Sequence, residues 1–284
     1  MDVDLARTFL AVVETGSFVE AAKRVFVTQS TVSMRIKSLE EQLGKMLFQR
    51  SKVGATLTPA GIQFQKHALA MVRVWQQARL EVSLPEGYRA ALTVGGQYSL
   101  WDGFLLKWLA RMRSKSPTIA IRTQVGFSDV LMQRLVDGTL DLGVMYTPQS
   151  RPGFKVEMLF EEELVLVSSE PRPSSKLGVN YLYIDWGPEF RADHSLNYPD
   201  LSTPALYMEL GSLGLKYLLE NRALGYFPKR LAADHLETGV LRLVPGAPAF
   251  RYPAYAVYPT ERDADLMDSA LRNLRNIASR QHIS

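Results

Sequence analysis

The 284-residue chain contains no cysteine. That absence excludes disulfides, thiolate nucleophiles and thiolate metal sites together, and it accords with a reducing compartment. Histidine is scarce: His67, His194, His235 and His282 are scattered, and no two of them have metal-ligand spacing. A lone histidine of this kind reads as a surface or satisfied core residue rather than a catalyst. Long apolar runs are missing, since no segment approaches the roughly 18 consecutive apolar residues needed to cross a bilayer. Met1 to Phe9 lacks the basic start and apolar stretch of a secretory signal. No membrane partner or export is expected, and the expected location is the cytoplasm. There is no glycine-rich phosphate loop and no Gly-x-Ser-x-Gly elbow, Gly95-Gly96 being too short to count. Neither enzyme activity nor a metal or cofactor is therefore expected.

What is present is a chain longer than one core usually supports, so two or more compact units are expected. Its net charge of +4 is unevenly spread. Residues 1–84 hold 11 Lys and Arg against 7 Asp and Glu, whereas residues 85–284 hold 22 of each. Within residues 21–52, Lys23, Arg24, Arg35, Lys37, Lys45, Arg50 and Lys52 face only Glu40 and Glu41. Such local positive charge suits a polyanion.

The pattern in that basic segment is helical. Leu5, Phe9, Val12 and Val13 share one face, and Gly16 falls where a helix would stop. Ser17 can cap a second helix carrying Phe18, Ala21, Ala22 and Val25, the paired alanines allowing close helix approach. Thr28 can cap a third, about Gln29 to Gln42, with Val32, Ile36, Leu39 and Leu43 on a buried stripe. Gln29, Ser30, Ser33, Arg35 and Lys37 are left outside it, a donor-rich face suited to base edges, and Thr31 stands beside them. This is a helix-turn-helix. Phe48 to Thr58, with Gly54 between two extended runs, reads as a small hairpin or wing on which Arg50 and Lys52 would meet phosphates.

The run Thr28, Gln29, Ser30, Val32, Ser33, Ile36, Leu39, Glu40, Leu43, Gly44, Leu47, Phe48, Arg50, then Leu57, Thr58, Pro59, Ala60 and Gly61 resembles the LysR-type transcriptional regulators. The resemblance implies that Gln29, Ser30 and Ser33 approach base edges and that Arg35, Arg50 and Thr58 lie near the phosphate backbone. Chemically, Gln can make a bidentate pair with adenine, which Ser cannot. The family often carries a basic residue where this chain has Met34.

Pro59 suits the first turn of a long helix reaching about Leu84. Phe64, Ala68, Met71, Trp75, Ala78 and Val82 recur at spacings of 4, 3, 4, 3 and 4, a heptad seam expected to pair two copies of the chain. A dimer would set two reading heads about one turn of double-stranded DNA apart. The resemblance adds a tetramer and, among possible partners, RNA polymerase.

After Pro85-Glu86-Gly87 the order changes to alternating strands and helices, an α/β pattern. The expected organisation is a winged helix-turn-helix over 1–58, a dimerising linker helix over 59–86, and a regulatory domain over 87–284. That domain would have two periplasmic-binding-protein-like α/β lobes, one about 87–160 with 255–284 and the other about 161–254, with a cleft between them. Leu135, Gly138, Leu140, Asp141, Leu142 and Gly143, and further on Gly225, Pro228, Leu236, Gly239 and Leu241, match the family's effector-domain pattern. Ligands in such folds sit beyond strand ends against helix N-termini, positions held by Ser99 and Ser128. The resemblance points to Ser99 with its neighbours Gln97, Tyr98, Leu100 and Trp101. Tyr146, Trp186 and Phe190 are candidates for an aromatic wall around a small-molecule effector. Ser99-Leu100-Trp101 with Trp186-Gly187-Pro188 and Phe190 is similar to a subgroup including regulators of the flagellar master operon. The competing readings are a two-lobed enzyme, which lacks its residues, and a solute-binding protein, which lacks an export signal.

Overall fold

The computed structural model describes residues 2–51, 54–171, 176–201 and 203–280, with Arg50 and Ser51 described through their backbone. Lys52 lies outside the described residues. The chain opens with α1 (Val3–Thr15), whose N-cap Asp2 accepts from the Asp4 amide and which ends at Gly16 with φ 62°. Ser17 caps α2 (Phe18–Arg24) and Thr28 caps α3 (Gln29–Leu43). These caps satisfy amides that would otherwise be left without partners at the helix starts. β1 (Phe48–Ser51) and β2 (Gly54–Leu57) form the antiparallel wing, Phe48 opposite Leu57.

One core joins these elements: Phe9, Val12, Ala21, Val32, Ile36, Leu39, Phe48 and Phe64 are buried together. Phe9 lies 5.0 Å from Phe64 and 5.2 Å from Phe48, ring centre to ring centre. Leu43 departs from the expected stripe and is 40 % exposed. It is the last residue of α3, where the chain turns away at the left-handed Gly44. Its neighbour Glu40 is buried instead, accepting from the amides of Leu47 at 2.8 Å and Phe48 at 3.2 Å and so fixing where the wing begins.

The linker helix α4 (Pro59–Val82) starts with proline in its first turn and is 24 residues long, about 36 Å. Its expected heptad stripe serves two purposes. Phe64 and Ala68 are buried in the head's own core, so they are not free to pair with a second chain. Met71 is half-buried, while Trp75, Ala78 and Val82 are exposed once the helix has passed α1.

In the regulatory domain, β3 (Ala90–Gly96), β4 (Ile119–Val125) and β5 (Leu142–Met145) are parallel neighbours. β7 (Tyr181–Ile184), β8 (Leu206–Met208) and β9 (Leu224–Pro228) form a second parallel group. Two long antiparallel strands join them: β6 (Phe154–Ser168) and β11 (Phe250–Pro259). The full order is β4-β3-β5-β11-β6-β9-β7-β8, with the short β10 (Arg242–Leu243) also on β6. The β6–β11 register shifts between Ala254 and Tyr255, where the pair passes from one lobe to the other. β6 begins at Phe154, well before the strand expected from Leu164.

The helices are α5 (Tyr98–Leu100), a wide turn at Trp101–Leu105, α6 (Leu106–Lys115), α7 (Ser128–Val136), α8 (Pro188–Asn197), α9 (Gly211–Glu220), α10 (Lys229–Glu237) and α11 (Ala264–Ala278). The wide turn breaks at Asp102 and Gly103, the latter at φ 71°. α6 and α11 close the first lobe, the Trp108 indole donating to Ala270 O at 3.0 Å. Head and regulatory domain also touch. Arg151 pairs with Glu14 at 3.3 Å, Val136 enters the head's core, and Gly138 at φ 68° brings its backbone against that of Arg73 on α4.

Candidate nucleic-acid interface and effector cleft

The head's candidate contact surface is built on α3. Val32, Ile36 and Leu39 face inward, which turns Ser30, Met34, Lys37 and Glu41 outward, with Gln29 exposed at the helix start. Thr28 is fully engaged locally: it caps Thr31 N at 3.2 Å and its hydroxyl lies 2.8 Å from those of both Ser30 and Thr31. Gln29 has no hydrogen-bond partner among the described residues, so its amide is available to a ligand. Ser33 is half-buried on the shoulder of this face. Lys37 lies 3.7 Å from Glu41, both well exposed, a pair of little energetic weight.

Two expected phosphate contacts are already occupied. The Arg35 guanidinium donates to Thr8 Oγ1 at 3.2 Å and lies 3.6 Å from Asp4, which holds it against α1 and away from the outward face. Thr58 accepts from Gly61 N at 3.0 Å and donates to Met46 O at 2.7 Å, a helix cap with both hydroxyl roles used. Arg50 is placed on the wing by its strand, opposite Ala55.

The second site is a cavity of about 590 Å³ between the lobes. Of the expected residues, Gln97, Tyr98, Ser99, Ser128, Tyr146 and Trp186 line it. Leu100, Trp101 and Phe190 do not. Leu100 is wholly buried, and the Trp101 indole turns away to donate to Gln124 O at 2.8 Å. Phe190 belongs to a cluster with Tyr183, His194, Tyr226 and Phe250 inside the second lobe. His194 is a satisfied core histidine, its Nε2 2.7 Å from the Tyr181 hydroxyl, and burial lowers its pKa to about 4.

Several lining groups are bonded to one another or to the wall behind them. Ser99 Oγ lies 3.1 Å from the Tyr146 hydroxyl, and Gln97 Oε1 accepts from Tyr146 N at 2.9 Å. Trp186 donates to Tyr226 O at 2.8 Å and packs its ring against Gly211, where a Cβ would approach the ring to 2.1 Å. Asp185 accepts from Gly187 N at 2.9 Å, from the Tyr207 hydroxyl at 2.7 Å and from Arg191 at 2.5 Å.

Sequence reasoning missed Asp185, Arg191 and a buried ion pair behind the cavity. Arg230, at the start of α10, donates to Glu162 Oε1 at 2.6 and 2.9 Å, to Ser99 O at 2.9 Å and to Asp102 O. The two side chains are 14 % and 2 % exposed. Burial pushes the Glu162 carboxyl upward and Arg230 pulls it back, while burial and the nearby Glu162 push the Tyr146 hydroxyl up. The pair thus ties the second lobe to the backbone of the Ser99 turn in the first. Glu162 sits within an acidic run, Glu161 to Glu163, that reads as solvated surface, so no local signal exposes it. Among the described residues no group of His, Asp and Glu is placed to hold a metal ion, and no helix is long and apolar enough to cross a membrane.

Comparisons with known proteins place the chain in one family. Residues 3–62 match the model for the bacterial regulatory helix-turn-helix protein of the lysR family, and residues 85–176 match the LysR substrate binding domain. The HTH-type transcriptional regulator HdfR of Salmonella typhimurium is 30 % identical over 267 residues, 93 % of this chain and 94 % of that protein. Among solved structures, full-length LysG from Corynebacterium glutamicum with bound effector Arg aligns with a TM-score of 0.62 at 18 % identity, covering 99 % of each chain. DarR from Vibrio fischeri in complex with DNA aligns at 0.59 and 18 % identity, over 97 % of this chain and 99 % of that one. At that identity the likeness shows the shared fold. With both domain models matched and nearly a third of the residues shared with a relative along almost its whole length, the chain belongs to the LysR family of bacterial transcription regulators.

Proposed function

We propose that this regulator reads duplex DNA with the outward face of α3 and is controlled by a small molecule held between its lobes. The observation that supports the first part most strongly is the division of α3: Val32, Ile36 and Leu39 anchor it while Gln29, Ser30 and Lys37 are exposed on the outward side. Gln29 would take base edges, Ser30 and Ser33 neighbouring ones, and the wing strand that carries Arg50 the adjacent phosphates. DarR in complex with DNA and LysG with bound effector Arg accord with both kinds of ligand.

The exposed half of the α4 stripe, with Trp75 and Val82, would pair with the same stripe on a second copy and set two heads on half-sites. Family membership supports extending this reading to a tetramer and to contact with RNA polymerase. The protein would work by binding alone, in the cytoplasm, without chemistry of its own. Effector occupancy can act only through a difference in affinity for two lobe arrangements. The Arg230–Glu162 pair bridges the lobes behind the cavity and is the contact such a change would strain first.

The test is binding of the purified protein to duplex fragments in rising salt, with mass measured in solution. Affinity that falls steeply with salt and a dimer or larger assembly are expected. Affinity indifferent to salt would contradict the DNA-reading role.

A further inference from the structure

The outward face of α3 carries an apolar side chain at its centre. Met34 is 65 % exposed, opposite the buried row of Val32, Ile36 and Leu39, and is flanked one turn away by Ser30 and Lys37. Glu41 stands further along the same face, paired with Lys37 at 3.7 Å, so the C-terminal end of the helix presents a carboxylate that a phosphate backbone would repel. Close approach to DNA is thereby confined to the N-terminal half, and Met34 lies at the inner end of that half.

The chemistry of the major groove then limits what Met34 can meet. Its floor presents hydrogen-bond donors and acceptors, for which a thioether has almost nothing to offer, and one apolar group, the C5 methyl of thymine. Methionine is unbranched and adaptable, able to lay its terminal methyl against such a group. Had the position carried arginine or lysine, its partner would have been a phosphate or guanine. We infer that Met34 is a specificity-determining residue that packs on a thymine C5 methyl beside the bases met by Gln29 and Ser30. The inference rests on the DNA-reading role of α3 and adds to it the identity of a base.

The side chain has no buried packing to lose, so Met34→Ala should melt with the full-length protein and change DNA binding alone. A duplex enriched from a random-sequence pool by the full-length protein is remade with deoxyuridine replacing each thymine in turn, which removes one methyl and nothing else. Burial of a methyl is worth roughly a three- to fivefold change in affinity. The wild type is expected to lose about that much at one or two thymines per half-site, with an unchanged salt slope because no charge is involved. Met34→Ala should bind the thymine and uracil forms equally at those positions, and Met34→Leu should keep most of the preference. The inference is overturned if no replacement affects the wild type, or if the same replacement costs Met34→Ala as much. A pool from which no sequence is enriched would overturn the DNA-reading role together with this one.

Discussion

The recognition helix and the interlobe cavity are prepared for their partners in opposite ways. On α3 the Gln29 amide is without a partner among the described residues, and Lys37 holds a weak exposed pair. Around the cavity several polar groups are already engaged: Ser99 with Tyr146, Gln97 with the Tyr146 amide, Asp185 with three donors, Trp186 with Tyr226 O. A surface with free donors can take up a ligand without rearranging. A ligand that meets Ser99, Gln97 or Asp185 must exchange bonds with them, and that exchange would allow occupancy to alter the lobes. Removing a head residue should therefore change binding and leave stability alone, whereas removing a residue of the cavity's support should do the reverse.

The sharpest break of that contrast is Arg230→Met. It leaves Glu162 buried without its cation and should cost about 3–5 kcal/mol in urea unfolding. The double variant Arg230→Met with Glu162→Leu should recover most of the loss. An unchanged unfolding midpoint for the single variant would show that the pair does not hold the lobes.

The pH dependence sharpens the same comparison. Folded His194 titrates near 4 rather than 6.5, so the unfolded chain binds its proton first and stability falls as pH drops from 6.5 towards 4. The loss amounts to up to about 3 kcal/mol. Asp141, pushed up to about 6 mainly by burial, acts in the opposite sense over pH 4–6, so the wild type alone would mix the two. The difference between wild type and His194→Gln isolates the histidine. The wild type's stability relative to the variant should fall as pH drops below 6.5, and parallel pH profiles would show that His194 is not held neutral by the fold.

A smaller effect is expected in the head. Phe26, in the turn between α2 and α3, is the non-glycine residue with positive φ among the described residues, at 55°, and it is 94 % exposed. A phenylalanine gains nothing from that backbone, whereas asparagine tolerates it. Phe26→Asn should raise stability by about 0.5–1 kcal/mol in thermal unfolding, and a fall would mean the ring has packing of its own.

The head was the most legible part of the sequence because its signals are local. Gly16, Ser17, Thr28, Gly44 and Pro59 mark helix ends within one turn of the apolar periodicity they interrupt. Even there, Arg35 read as free because its partners Asp4 and Thr8 belong to another helix. The alternation of strands and helices foretold the two lobes, but β6 was hidden in its first half. Glu157 and Glu161 to Glu163 break its apolar pattern, and the strand persists through them because β11 pairs with it across both lobes. Cavity walls were harder still. Tyr146 and Phe190 are both large buried aromatics, and only the direction each side chain takes separates lining from core. Arg230 and Glu162 are 68 residues apart and have no shared local pattern.

The account depends most on α3 meeting the duplex through Gln29. The direct measurement is the affinity of wild type and Gln29→Ala for the selected duplex and for an unrelated duplex of equal length. Specific binding should weaken by roughly 1–3 kcal/mol while binding to the unrelated duplex and the melting temperature stay the same. Equal affinity of the two proteins for the selected duplex, or an equal loss on both duplexes, would contradict it.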